Sequence, residues 1–209
     1  GASGRNPNFL TEEHPPARSS RLAWVRDKIE AEDHALSFSG RYPTLGVSVL
    51  RFAMLFGAGV HTFYTRIFSK RVVPVLLGYD PLVQLLHPTD ALDAVEAVLA
   101  RGPSGILNVV PTDTITLLTA LHLSDKLTVP VPHLLAYPGA DFWWGTGVGE
   151  APGGFVDYMR YLFVADGEKA RRELGFEARH TSREALMAFL EYRYPSAAAR
   201  SREAREAEA

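Results

Sequence analysis

Short β-branched runs alternate with helical stretches along this chain, and that alternation predicts an α/β fold. Two observations carry the expectation. Residues 46–52, 71–77 and 105–110 read as strands, and apolar residues between them recur at a 3.6-residue period. Proline stands where a helix opens, at Pro88, and glycine where helices close, at Gly102 and Gly175. With 209 residues the chain is long enough for one sizeable core and a small second lobe.

Composition narrows the function classes. Apolar content of 46% and charged content of 22% are those of an ordinary globular protein. A formal net charge of -2 gives no electrostatic reason for nucleic acid or an acidic membrane as partner. There is no cysteine, which excludes disulfides, thiolate catalysis and cysteine-ligated metals. No apolar run approaches the roughly 18 residues of a membrane span, and residues 1–20 do not read as a signal peptide. The expectation is a cytoplasmic protein acting on a small molecule. The chain begins with Gly1 and not methionine, which suggests a processed or truncated chain.

In order, residues 1–18 read as an irregular loop, and Ser19 and Ser20 as caps for a helix over 21–37. Leu22, Val25, Ile29 and Leu36 form one apolar stripe of that helix. Trp24, Lys28, Ala31 and Ala35 form a second inner stripe beside it. Residues 40–43 make a turn, 46–52 a strand running into 53–57, and 60–69 a short helix. The strand over 71–77 contains Pro74, which argues for a sheet edge. A strand over 83–87 leads into the Pro88 helix, whose inner face is Ala91, Leu92, Val95, Val98 and Leu99. After the strand 105–110 come a helix over 115–123 and an extended stretch over 126–131. Residues 132–158, rich in glycine and aromatics, give no clear element. A short helix spans 166–174, and Thr181 to Glu184 has the spacing of a capping box for a last helix to about Tyr194. Residues 1–195 thus form the folded unit. Residues 196–209 hold only Ala, Arg, Glu and Ser and are a charged tail, helical or disordered.

Candidate chemistry is sparse. Lys28, one turn from Trp24, either snorkels past a core tryptophan or serves a site. Gly145 to Gly149 resembles a phosphate cradle but lacks G-x-G-x-x-G spacing, so it reads as a loop. The seven histidines have no metal-ligand spacing, and no metal is expected. Asp90, three residues after His87, suits a structural role in accepting backbone N–H groups at its helix start. Trp143 and Trp144 line a pocket for an apolar or ring-shaped ligand, or pack in the core.

The order of segments resembles the extended short-chain dehydrogenases/reductases, closest to the NAD-dependent epimerase/dehydratase group. Asn8-Phe-Leu-Thr-Glu12…Pro15 looks like the loop before the family's catalytic helix. Trp24-Val-Arg-Asp-Lys28 falls where the family has Tyr-x-x-x-Lys. Val49-Leu-Arg-Phe-Ala-Met-Leu-Phe-Gly57, Gln84-Leu-Leu-His-Pro-Thr-Asp90 and Gly105-Ile-Leu-Asn-Val-Val110 are similar to its later strands and junctions. Asp166-Gly-Glu-Lys-Ala-Arg-Arg-Glu-Leu-Gly-Phe176 looks like its closing helix.

The resemblance implies the C-terminal half of a Rossmann-type fold with a small substrate-binding lobe, the glycine-rich half lying outside a truncated chain. It implies NAD or NADP as cofactor, with Lys28 at the nicotinamide ribose and the Ala53 backbone near the nicotinamide. Family tyrosine is the proton donor or acceptor. Trp24 in its place has an N–H but no accessible ionisation. Met54 and Val83 stand where the family carries an asparagine and an arginine that touch a nucleotide-sugar, so a less polar substrate is implied. The implied function is an epimerase/dehydratase-like oxidoreductase acting on a sugar-like or less polar alcohol or ketone. The alternative is a non-catalytic dinucleotide-sensing or scaffold protein. The resemblance allows a homodimer through the Trp24 helix.

Overall fold

The computed structural model describes residues 1–18, 20–147, 149 and 151–195. Its helices are α1 (Ala23–Arg41), α2 (Phe63–Phe68), α3 (Pro88–Arg101), α4 (Leu117–Leu123), α5 (His133–Gly145), α6 (Glu168–Leu174) and α7 (Ser182–Arg193). Its strands are β1 (Ser48–Phe52), β2 (Met54–Leu55), β3 (Val72–Leu76), β4 (Leu82–Val83), β5 (Leu85–Leu86), β6 (Gly105–Val109), β7 (Ile115–Thr116) and β8 (Leu127–Val131). A 3-10 helix spans Gly153–Met159.

The strands join in pairs. β1 runs parallel to β6, from Ser48 opposite Gly105 to Phe52 opposite Val109. β2 pairs parallel with β5, β3 parallel with β8, and β4 antiparallel with β7. Pro74 sits in the two-stranded β3–β8 pair, where a missing donor is tolerated. The segment that begins as β1 changes partner at Ala53. The Ala53 N–H still donates to the Val109 carbonyl, whereas the Phe56 N–H donates to Leu86. The expected strand over 83–87 is likewise split at Gln84. Its side-chain amide donates to the Ala165 carbonyl at 3.0 Å and accepts from the Ala165 N–H at 2.8 Å, so it stands in for a strand backbone.

Three apolar clusters lie between these elements. One gathers Phe56, Val73, Val75, Val83, Leu121 and Phe189. A second, with Leu107, Val109, Ala94 and Leu174, fills the space between β6, α3 and α6. A third joins Leu22 and Val25 of α1 to Phe155 and Tyr158.

Several expectations about helices are corrected. The residue at the start of α1 is Leu22, without a side-chain cap, and Ser20 Oγ accepts from the Leu22 N–H instead. Ser19 lies outside the described residues. The helix runs to Arg41, into the expected turn, and Phe38 meets Tyr42 in a tilted ring contact at 4.8 Å between centroids. α3 is rotated relative to its expected inner face. Ala94 is buried and Ala91, Ala97 and Val98 pack inward, while Leu92, Val95 and Leu99 are exposed. The cause is Asp90, fully buried, whose carboxylate accepts from the N–H groups of Arg179 and His180 rather than from its own helix start. His87 takes that capping role, its Nδ1 accepting from the Thr89 N–H. The expected capping box at Thr181 and Glu184 is present, with both reciprocal bonds. Residues 132–158 contain a helix, α5, and the 3-10 turn. Gly145 ends α5 and Gly147 lies in the turn just after its Thr146 cap, so these two glycines follow a helix and do not join a strand to one; Val148 lies outside the described residues. The tail 196–209 also lies outside them.

Candidate functional site

The expected site residues lie on two surfaces: Ala53 at the carboxyl end of the β1–β6 pair, and Trp24 and Lys28 on one face of α1. In open α/β sheets ligands collect outside the carboxyl ends of parallel strands, where the chain changes course. Ala53 occupies that position, at the exchange from β6 to β5. Its side chain is half-buried and so is that of Met54. Val83 is 3% exposed and belongs to the same core cluster as Phe56, so it backs this region from within and offers no surface to a ligand.

On α1 the first stripe packs as expected, Leu22 and Val25 being buried. The second stripe does not: Trp24 is 41% exposed, and Lys28 and Ala31 are exposed. The turn-by-turn spacing put them on one side of the helix, and among the described residues that side is only partly covered. The Lys28 ammonium stands 6.0 Å from the Trp24 ring centroid, at the outer limit of a cation–π contact. The inner edge of Trp24 meets Tyr158 at 6.0 Å between centroids. Burial raises the Tyr158 phenol above its ordinary range, and a hydrogen bond from the Ala2 backbone partly offsets this.

What fixes α1 against the strand is an ion pair that the spacing argument did not single out. Arg51 of β1 donates from Nη2 and Nε to the Glu32 carboxylate at 2.5 and 2.9 Å. Glu32 lies one turn beyond Lys28, and Arg51 lies two residues before Ala53. The Glu32 hydrogen bonds raise the Arg51 pKa further above its ordinary value, against the opposing effect of burial. Arg51 also donates to the Glu12 carbonyl at 3.3 Å. The Glu12 carboxylate in turn accepts from the Asn108 N–H at 2.8 Å, on β6. The side-chain amide of Asn108 donates to the carbonyls of Leu10 and Asp166. One network therefore connects the residue 10–12 loop, α1, β1 and β6. An arginine inside the apolar strand over 46–52 calls for an acidic partner, but which acid is apparent only from the packing.

A second polar cluster lies at the start of α3. His180 stacks on His87 at 4.1 Å between centroids, and its Nδ1 is 3.1 Å from buried Asp90. Burial first, and the neighbouring His180 second, lower the His87 pKa. Trp143 lines a separate apolar cavity in the β3–β8 region, and Trp144 is exposed outside it.

No family model matches the chain. Uncharacterized protein Rv0501 of Mycobacterium tuberculosis (strain ATCC 25618 / H37Rv) and uncharacterized protein Mb0513 of Mycobacterium bovis are each 28% identical over 186 residues. The match covers 89% of this chain and 50% of each relative, so the chain spans about half the length of the curated relatives it matches. Among solved structures, dTDP-glucose 4,6-dehydratase (rfbB) from Bacillus anthracis str. Ames in complex with NAD superposes with a TM-score of 0.68 at 17% identity, over 94% of this chain and 58% of that one. MoeE5 in complex with UDP-glucuronic acid and NAD gives 0.66 at 20% identity, over 91% and 61%. UDP-N-acetylglucosamine 4-epimerase from Bacillus cereus gives 0.56 at 18% identity, over 88% and 59%. The fold is thus part of the Rossmann-type architecture that these structures share.

Proposed function

We propose that this chain is the substrate-side half of an NAD(P)-dependent epimerase/dehydratase-like oxidoreductase, acting on a sugar-like or less polar alcohol or ketone. The observation that carries the reading is the helix of Trp24 and Lys28, pinned by Glu32 to the strand that ends at Ala53. Two structural neighbours that hold NAD support it. A cytoplasmic location and a homodimer remain parts of the same proposal; among the described residues no helix is long and apolar enough to cross a membrane.

The residues present fit one end of such a cofactor. Lys28 offers an exposed ammonium, and a small residue stands at the end of β1. There is no G-x-G-x-x-G turn in these 209 residues, so the diphosphate end would be held by a segment outside them. When bound, the nicotinamide supplies the hydride acceptor or donor. Lys28 would hold ribose hydroxyls with its three N–H donors. Ala53 would present backbone only, and Met54 an apolar wall in place of a hydrogen-bonding amide. Trp24 would give steric shape without proton transfer. The proton would then pass to an upstream Ser or Thr hydroxyl or to water beside Lys28.

The test uses the full-length protein with NAD and NADP. Lys28→Ala should weaken cofactor binding about 10-fold, the loss of one charge-assisted hydrogen bond. Trp24→Tyr, which restores an ionisable phenol one turn from a cation, should raise hydride transfer roughly 100-fold or more. Absence of hydride transfer on alcohols and ketones before and after that change would count against the oxidoreductase. The indole at position 24 favours one second reading, a dinucleotide-sensing protein without turnover. It is distinguished by Lys28-dependent cofactor binding with no reaction in either variant.

A further inference from the structure

Helix α5 is 13 residues long, contains Pro138 and Gly139, and has no buried side chain. A helix of that length and composition is marginal in water and draws its stability from an apolar face packed on something. One side of α5 meets the β3–β8 pair across an apolar groove, through Ala136, Gly139 and Ala140. Another side carries Leu134, Pro138 and Phe142, which recur at helical spacing and form one stripe. Leu134 is 76% exposed and Phe142 65%. Trp143 and Trp144, both more than half exposed, stand at the end of the helix. The one carboxylate of α5, Asp141, is engaged by the Gly153 N–H at 2.6 Å.

The apolar surface continues onto the strands. Val72 lies opposite Leu127 and Pro74 opposite Val129, so these share one face of the β3–β8 pair. All of them are exposed, and Val72 rims the groove together with Leu135 and Trp143 of α5. The edge of this surface is basic. No carboxylate occurs from Val60 to Tyr79, and Asp141 is the only one from Lys126 to Gly147. Arg71 and Lys126 stand side by side where the two strands begin, since the Leu127 N–H donates to the Arg71 carbonyl at 3.0 Å. Lys126 is held by the hydroxyl and ring of Tyr194, which leave its charge in place. Asp125 adjoins Lys126 in sequence, yet among the described residues neither Arg71 nor Lys126 is ion-paired to a carboxylate.

Charge selects what covers this surface. A second copy would meet it through the same patch, which gathers the cations of both copies in one interface and opposes association. An anionic bilayer matches each part. Aliphatic and aromatic side chains enter the acyl boundary, indoles favour the headgroup level, and cations beside them are drawn to acidic headgroups. The chain's net charge of -2 is no obstacle, because salt screens exposed acids elsewhere beyond about 8 Å. We propose that the face of α5 and the β3–β8 pair docks on an anionic lipid surface, with Leu134 and Phe142 inserted and Arg71 and Lys126 at the headgroups. This is attachment to one leaflet and not a span. It does not rest on the nicotinamide reading, because Trp24, Lys28, Ala53 and Met54 lie outside this face and either reading can fail alone.

Co-sedimentation of the chain with lipid vesicles tests it. Vesicles of equimolar phosphatidylcholine and phosphatidylglycerol should bind the protein and shift its tryptophan emission to the blue. Pure phosphatidylcholine vesicles should bind it at least ~10-fold less. Arg71→Gln should weaken binding to the mixed vesicles about 5-fold, the loss of one cation near the surface. Leu134→Ser combined with Phe142→Ser should weaken it at least ~10-fold and abolish the emission shift. Both side chains are exposed, so circular dichroism should show the fold retained; if it does not, Leu127→Ser on the strand face gives the same reading. Leu99→Ser removes an apolar side chain that is equally bare on α3 and should leave binding unchanged. No binding to the mixed vesicles, equal binding to both kinds, full binding by the folded double variant, or loss of binding in Leu99→Ser overturns the proposal. So does a dimer in analytical ultracentrifugation that the double variant abolishes, without vesicle binding, because it assigns the face to a second copy.

Discussion

At position 24 an indole stands where the proposed function would place a phenol, and its contacts define what it can do instead. The ring bridges Tyr158 and Lys28, so it keeps an aromatic link between the core of α1 and the exposed lysine. Tyr158 is no ready substitute as a base, because burial raises its pKa. His87 gives a residue-level prediction about pH. Its Nδ1 accepts from the Thr89 N–H, which protonation abolishes, and burial followed by His180 lowers its pKa below the ordinary value of 6.5. Asp90 opposes this shift. The folded state therefore binds fewer protons than the unfolded state between the folded pKa and 6.5. The contribution is complete above about 6.5 and is lost as pH falls through the folded value. Urea midpoints measured from pH 8 to pH 5 should fall more steeply for the parent than for His87→Asn, and parallel curves would exclude this role.

Among elements, α1 depends on a polar attachment as much as on its apolar stripe. Its buried side chains are few, since Val25 alone within the helix is buried, with Leu22 just before it. The Glu32–Arg51 pair sets the helix against β1, and both side chains are only partly exposed. Glu32→Gln should therefore cost about 1–3 kcal/mol, more than an exposed ion pair would. A double-mutant cycle with Arg51→Lys checks it, and a coupling energy near zero would show that the attachment lies elsewhere. By contrast, the exposed Arg18–Asp33 pair should be nearly silent in the same assay. Strands and caps were the legible part at this scale. The strand over 105–110, the Pro88 start, the Gly102 and Gly175 ends and the Thr181 capping box follow from local backbone chemistry. The rotation of α3 did not, because Leu92, Val95 and Leu99 satisfy an apolar period equally well. A buried carboxylate reaching residues 179 and 180 decided which side faces inward.

Over the whole molecule, distant segments are joined by side-chain amides placed where strands lack neighbours. Asn108 joins β6 to Leu10 and Asp166, and Gln84 joins the β4–β5 break to Ala165. Asn108 is 3% exposed; its loss removes the side-chain donor of the Asp166 carbonyl and one of two donors of the Leu10 carbonyl, which keeps the Asp166 N–H. Asn108→Ala should cost roughly 2–4 kcal/mol, and it should speed hydrogen exchange at the Leu10 and Asp166 amides. Exchange unchanged at those amides would show that the residue 10–12 loop is held by other means. The same network carries α1, so under the proposed function dinucleotide affinity should fall in parallel with the exchange protection.

The sequence by itself determined the α/β class, most element positions and the Trp24–Lys28 spacing. These depend on interactions between residues a few positions apart: period, capping and turn chemistry. Only the tertiary structure decided that the Trp24 and Lys28 side of α1 is exposed, that Val83 is core, that β1 changes partner at Ala53, and that Arg51, Glu32 and Glu12 hold α1, β1 and the residue 10–12 loop together. A helical period gives two neighbouring faces but not the one that meets a neighbour. A charged side chain does not carry the identity of a partner tens of residues away. Burial and hydrogen-bond partners are properties of the assembled chain, fixed when segments distant in sequence exclude water together.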